Sequence, residues 1–92
     1  MAVVIALPAV LDLRAAVALR DDMLALRGQA VTLDASAVER LGGLALQVLL
    51  SAAKTWAVDG CPLAISPASD AFADQCRAFG ALSLAAATGE PA

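Results

Sequence analysis

The stretch from Val31 to Leu50, VTLDASAVERLGGLALQVLL, decides how this chain folds. The first residues of this stretch are mostly apolar and, together with the preceding Ala30, predict a buried strand from Ala30 to Asp34. A polar turn follows, and from Gly43 onward apolar residues recur at the spacing of a helix. A strand that leads through a short turn into an apolar helix is typical of an α/β layer structure.

The rest of the chain predicts further strands that alternate with helices. The predicted strands are Val3 to Leu7, Ala30 to Asp34 and Leu63 to Ser66, with Val10 to Leu13 as a short strand or helix approach and Leu82 to Leu84 as a last edge strand. The predicted helices are Arg14 to Arg27, Gly43 to Val58 and Asp70 to Phe79. The first has an apolar stripe of Ala16, Leu19, Met23 and Leu26. Ser69 is a suitable N-cap for the third, which has Phe72, Cys76 and Phe79 on one face. The order β-β-α-β-α-β-α-β predicts a four-to-five-stranded mixed sheet packed with three or four helices. Residues 1–84 form one domain, and we expect the small-residue tail, residues 85–92, to be frayed.

Composition excludes several classes of function. The net charge is −3, and the six basic residues are scattered without aromatic neighbours, which argues against binding of nucleic acid or an anionic membrane. No apolar run reaches the roughly 20 residues of a membrane-spanning helix, and the first residues do not read as a signal peptide. Cys61 and Cys76 lie far apart in a chain without histidine, so we expect no metal site and no cofactor. Two reduced thiols favour a cytoplasmic location.

The second predicted helix has a broad apolar arc that we expect to face the sheet. This arc comprises Ala45, Leu46, Leu49, Leu50, Ala52, Ala53, Trp56 and Ala57. Leu44, Val48 and Val58 fall instead on the polar arc. Single exposed apolar residues are common, but Leu44 and Val48 at the beginning of the helix would also suit a protein contact. Both interpretations stay open.

Gly42 and Gly43 lie where the predicted turn enters this helix. A helix N-terminus attracts anions, and glycine lets a ligand or partner come close to the backbone. A lone Gly-Gly pair is nevertheless weak evidence for a phosphate site, because the chain has no Walker-type lysine and no GxGxxG motif. A tight strand-to-helix turn explains the pair equally simply.

The sequence contains no recognisable catalytic constellation. It has no histidine and no tyrosine, and neither cysteine has a base at a suitable spacing. Asp34, at the end of a predicted strand, is the best-placed carboxylate, and we expect it to cap the turn. We therefore predict that the chain is not an enzyme and has no catalytic residues.

Two segments around the turn resemble the STAS domain, the family that includes the bacterial anti-sigma factor antagonists. They are Leu33-Asp34-Ala35-Ser36-Ala37-Val38 and Leu41-Gly42-Gly43-Leu44-Ala45-Leu46, and the later Gly60-x-x-Leu63-x-Ile65, Phe72 and Phe79-Gly80 fit the second half of the family pattern. The resemblance covers residues 1 to 84. The sequence from Val38 to Gly60, with the later Ser69-x-x-Phe72, is especially similar to small stand-alone STAS proteins of bacterial chemotaxis gene clusters.

This resemblance implies partner switching, in which a kinase phosphorylates a Ser or Thr at the head of the helix. The chain departs from the family pattern there. The family's Asp aligns with Gly42, its two hydroxyl residues align with Gly43 and Leu44, and its glycine aligns with Ala45. We therefore expect no phosphorylation at the family position. Ser36 and Ser51 are hydroxyl residues nearby, for which a turn hydrogen bond and simple exposure are the ordinary roles.

The resemblance and the helix pattern together predict a non-enzymatic protein-interaction module of a bacterial signalling system. Its partner would be a signalling protein such as a histidine kinase or an anti-sigma-type kinase. The predicted partner-binding residues are Ser36, Glu39, Arg40, Leu41, Gly42, Gly43, Leu44, Gln47 and Val48. The alternatives are a STAS subunit of a lipid-transport ATPase complex and a nucleotide-sensing module.

Overall fold

Three helices and five short strands make up the part of the chain, residues 3–79, that the computed structural model describes. The strands are β1 (Val3–Ala6), β2 (Val10–Leu11), β3 (Val31–Ala35), β4 (Arg40–Leu41) and β5 (Leu63–Ala68), and the helices are α1 (Leu13–Ala25), α2 (Gly43–Asp59) and α3 (Asp70–Ala78). Within these residues no helix combines the length and the apolarity that a membrane crossing requires.

The main sheet has the order β1-β3-β5, and both pairings are parallel. β2 and β4 form a separate parallel pair of two residues each. The α/β class is therefore confirmed, but the described strands form two parallel sheets rather than one mixed sheet. The predicted edge strand from Leu82 to Leu84 and the tail, residues 85–92, lie outside the described residues.

The central strand β3 brings α1 and α2 together on one face of the sheet. Parallel neighbours need right-handed crossovers, and two successive crossovers in the same direction place both helices on the same side. Val31, Leu33 and Ala35 of β3 point into the core beneath them. Because each helix returns from the end of one parallel strand to the start of the next, α1 and α2 run in the same direction.

The first helix buries most of the predicted stripe. Ala16, Leu19 and Met23 are buried, as the helical spacing predicts, whereas Leu26 is the C-cap and is half-buried. A second stripe on the same helix, which includes Leu13 and Leu24, is exposed to solvent. The helix ends at Ala25, two residues before the predicted end at Arg27, and the turn that contains Gly28 follows it.

The second helix begins at Gly43 as predicted and ends at Asp59, one residue later than predicted. Gly60 caps it in the left-handed region at φ 70°, where glycine is the favoured residue. Trp56 is buried, and its Nε1–H donates to the Gln29 carbonyl at 2.7 Å. Ala57 was expected in the buried arc but is exposed, because it lies at the edge of that arc near the end of the helix.

The third helix packs against the turn that precedes α2. Ser69 caps its N-terminus by accepting a hydrogen bond from the Phe72 N–H. Phe72 and Cys76 are fully buried, as predicted. Phe79 was expected on the same face but is 54% exposed, because the helix ends at Ala78 and Phe79 is its C-cap.

Candidate functional site

The head of α2 lies beside the small β2–β4 sheet. β4 immediately precedes the helix, and its pairing with β2 places Leu41 opposite Leu11. The Gly42 N–H extends this pairing by donating to the Leu11 carbonyl at 3.0 Å. The turn from β3 into α2 is therefore held by backbone hydrogen bonds to a segment about 30 residues earlier.

Gly42 is required by this close approach. A Cβ built on it would lie 2.7 Å from the Leu11 carbonyl oxygen, well inside ordinary contact distance. Its φ of −77° and ψ of 158° are available to any residue, so proximity rather than backbone conformation demands glycine. The group that approaches Gly42 is the chain's own backbone, and contact of a partner with this half-buried residue stays a prediction.

Gly43, in contrast, is open. A Cβ built there would have no atom within 4 Å among its non-local neighbours, and the residue is exposed. No side chain caps the helix, because its N-cap is Gly42, and the first turn carries no acidic residue. The first N–H groups of α2 therefore face outward without a side-chain acceptor.

Asp34 and Ser36 form a compact turn at the end of β3. One Asp34 carboxylate oxygen, Oδ1, accepts hydrogen bonds from the Ser36 hydroxyl at 2.6 Å and from the Ser36 N–H at 2.9 Å. These two bonds hold the pKa of the Asp34 carboxyl below its ordinary value, because both favour the ionised form. The turn-capping role predicted for Asp34, and the hydrogen-bonding role considered for Ser36, are both present in this geometry.

Two polar side chains of the α3 region hold the rest of the turn. Gln75 accepts from the Leu41 N–H at 2.7 Å and donates to the Glu39 carbonyl at 3.0 Å. The Ser69 hydroxyl donates to the Val38 carbonyl at 2.6 Å. Sequence reasoning missed both contacts, because they join residues more than 30 positions apart and no local pattern indicates them.

Six of the nine predicted partner-binding residues are exposed and lie around the head of α2. This set, called the α2-head surface below, comprises Ser36, Glu39, Arg40, Gly43, Leu44 and Gln47. Leu44 is its one large apolar residue and is 49% exposed. None of the ion pairs found within residues 3–79 involves Glu39 or Arg40, so both charges are available at the edge of this surface.

The other three predicted residues have different positions. The Leu41 side chain is 3% exposed and belongs to the core, because its alternation along β4 points it inward. Gly42 lies against the Leu11 carbonyl of β2, as described above. Val48 is half-buried and packs against the core, because α1 lies alongside this part of α2.

A family model described as "Mlab, STAS domain" matches residues 1–85. The match covers nearly the whole chain and includes the strand, the turn and the helix head.

The chain belongs to the STAS family. STAS domains are generally non-enzymatic modules that bind partners, often in signalling. The family match therefore supports a binding role for this STAS domain. No curated protein sequence matches the chain.

Proposed function

We propose that this STAS domain is a non-enzymatic interaction module of a bacterial signalling system, in chemotaxis or partner switching, and that its α2-head surface binds a kinase or a related signalling protein. The observation that carries the proposal is Leu44. It is 49% exposed at the helix position where the family resemblance implies a phospho-acceptor. An apolar side chain at that place suits a contact that persists without phosphorylation.

The surroundings of Leu44 have the composition of a protein-binding surface. Interfaces commonly have an apolar centre and a polar rim that water reaches. Here Leu44 is the apolar centre, and Glu39, Arg40 and Gln47 supply charged and amide groups around it. Hydrogen bonds from Gln75 to the backbone of β4 and the preceding turn hold this rim in place, so little conformational freedom is lost on binding.

The same geometry argues against a phosphorylation switch at this site. Gly43 and Leu44 offer no hydroxyl group. The Ser36 hydroxyl donates to the ionised Asp34 carboxylate at 2.6 Å. A phosphate on Ser36 would replace this hydrogen bond with repulsion between two anions. We therefore propose that the domain binds its partner constitutively.

The test compares Leu44→Asp with Val58→Asp in binding to the purified products of neighbouring genes. Both substitutions exchange an exposed apolar residue of α2 for the same charge, and they lie about 21 Å apart along the helix. A central interface residue is typically worth 2 kcal/mol or more, so we expect Leu44→Asp to weaken binding roughly thirtyfold. Val58→Asp should bind like the wild type.

Leu44→Asp is expected to remain folded. The side chain is half exposed, and a carboxylate in the first turn of a helix is favourable by about 0.3–1 kcal/mol. Val48→Asp would be a poorer variant, because Val48 packs against the core. Equal affinities for Leu44→Asp and Val58→Asp, in proteins with equal melting temperatures, would exclude the α2-head surface as the binding site.

The identity of the bound protein separates the alternatives. Capture of a transport ATPase subunit, rather than a kinase, would favour a role in a lipid-transport complex. Heat released on titration with common nucleotides would favour nucleotide sensing. Mass spectrometry of the protein recovered from its host tests the absence of a switch, because phosphate on any residue of the α2-head surface would contradict constitutive binding.

A further inference from the structure

An open groove of about 250 Å³ lies between α1 and α2. Met23, Val48, Ala52 and Trp56 give it an apolar floor. This groove is called the α1–α2 groove below. It extends from Arg20 on α1 to Arg27 in the turn that follows this helix.

The residues along both edges of the groove follow the spacing of a helix-packing seam. The first edge consists of Arg20 and Leu24 on α1 and of Arg27 in the turn after this helix, and Val17 continues it one turn earlier on α1. On α2 the edge is Val48, Ser51 and Thr55, and Leu44 continues it one turn earlier. Both edges thus advance in alternating steps of three and four residues. This is the period at which a further helix packs against two parallel helices.

Charge indicates what kind of helix fits. The described chain lines the groove with two arginines and no carboxylate, although the whole protein has a net charge of −3. Among residues 3–79, the one ion pair of Arg20 is with the neighbouring Asp21, at 3.4 Å, and both side chains are largely exposed. Arg27 is bound by Asp59 at the far end of the groove, at 2.9 Å. Arg20 is therefore the charge most available to an acidic partner.

We propose that the α1–α2 groove binds an amphipathic helix of a partner protein, with apolar residues on one stripe and a carboxylate facing Arg20. Exposed Leu24, at 65%, and exposed Leu44, at 49%, would be covered by such a helix. A small ligand confined to the groove would leave Leu44 uncovered, because Leu44 does not line it. A second copy of this chain docked groove to groove would present its own arginine-bearing edge, which is not complementary to Arg20.

This proposal shares Leu44 with the proposed function, but its test can fail separately, because the test uses defined peptides instead of the natural partner. The probe is a synthetic helical peptide of about 18 residues with leucines at alternating steps of three and four and two glutamates seven residues apart on the same stripe. The control peptide has lysines in place of the glutamates. Trp56 is the only tryptophan in the chain and lines the groove, so its fluorescence reports binding at this place.

The matched protein variants are Arg20→Glu and Arg14→Glu. Both arginines are exposed on α1, but only Arg20 lines the groove. An exposed ion pair is worth up to about 1 kcal/mol, so we expect the wild type to bind the glutamate peptide about fivefold more tightly than the lysine peptide. Arg20→Glu should reverse this preference, and Arg14→Glu should retain it.

Three results would overturn the proposal. The first is no change in Trp56 emission with either peptide, or equal affinities for both peptides. The second is a change in Trp56 emission with protein concentration alone, together with a dimer in sedimentation, because a second copy would then occupy the groove. The third is a response to decanoate, a small amphipathic anion, without any response to the peptides.

Discussion

Adjacent glycines at the head of α2 should respond in opposite ways to the same substitution. A Cβ at Gly42 would lie 2.7 Å from the Leu11 carbonyl oxygen, whereas a Cβ at Gly43 would meet nothing within 4 Å. Gly43 also has no positive φ, so alanine fits its backbone. We expect Gly42→Ala to destabilise the domain and Gly43→Ala to stabilise it.

The magnitude for Gly42→Ala has two parts. The carbonyl would have to retreat by about 0.5 Å or more to reach an ordinary contact distance, which strains the 3.0 Å hydrogen bond between Gly42 and Leu11. Leu11 is 1% exposed and has little room to move. Overpacking typically costs about 1–3 kcal/mol, and alanine is worse than glycine at an N-cap by about 0.5–1 kcal/mol. Together these effects predict a loss of about 1.5–4 kcal/mol.

For Gly43→Ala the expected gain is about 0.5–1 kcal/mol, because alanine reduces the freedom of the unfolded chain and favours the helix. Urea denaturation and thermal melting of both variants test the pair. At about 4–8 °C per kcal/mol for a domain of this size, Gly42→Ala should melt about 6–30 °C below the wild type. A Gly42→Ala protein as stable as Gly43→Ala would refute the close approach of Leu11.

Two further predictions concern contacts between distant segments. Gln75→Leu leaves the N–H of Leu41 and the carbonyl of Glu39 without their side-chain partners. Urea denaturation should therefore show a free energy of unfolding that is lower by about 1–3 kcal/mol. An unchanged denaturation midpoint would contradict a stabilising role for these two hydrogen bonds. Arg27→Gln removes the partner that holds the pKa of Asp59 below its ordinary value of 3.8. The stabilisation from a lowered carboxyl pKa is present above the unfolded pKa and disappears as pH falls through the folded pKa. The melting temperatures of variant and wild type should therefore differ most above about pH 5 and converge as pH falls through the lowered pKa of Asp59. A difference independent of pH would show that this ion pair does not cause it.

Much of the fold could be predicted because its signals are local. Apolar periodicity placed the buried stripe of α1 and the beginning of α2 at Gly43, and Ser69 indicated the beginning of α3. Each of these features depends on residues within one or two helical turns of each other. The missed strand β4 has only two residues, Arg40 and Leu41, which is too short for any periodicity.

The candidate site was predicted less completely, because exposure depends on packing between distant segments. Leu44 was predicted on the polar side of α2, and it is exposed. Val48 was predicted on the same side, but α1 covers it in part. Leu41 was expected to contact a partner, but its pairing with Leu11 turns the side chain into the core. Whether the exposed residues bind a partner stays a prediction.

By itself, the sequence determined the alternation of strands and helices, the STAS resemblance and the absence of a hydroxyl group at Gly43 and Leu44, since residue identity and short-range spacing carry this information. Only the tertiary structure decided why Gly42 must be glycine, which of the predicted residues are exposed, and that α1 and α2 leave a groove containing Arg20. These properties arise where segments about 30 residues apart come within a few ångströms of each other, as at Gly42 and Leu11. Such distances are set by the packing of the whole domain and are not encoded in any local pattern.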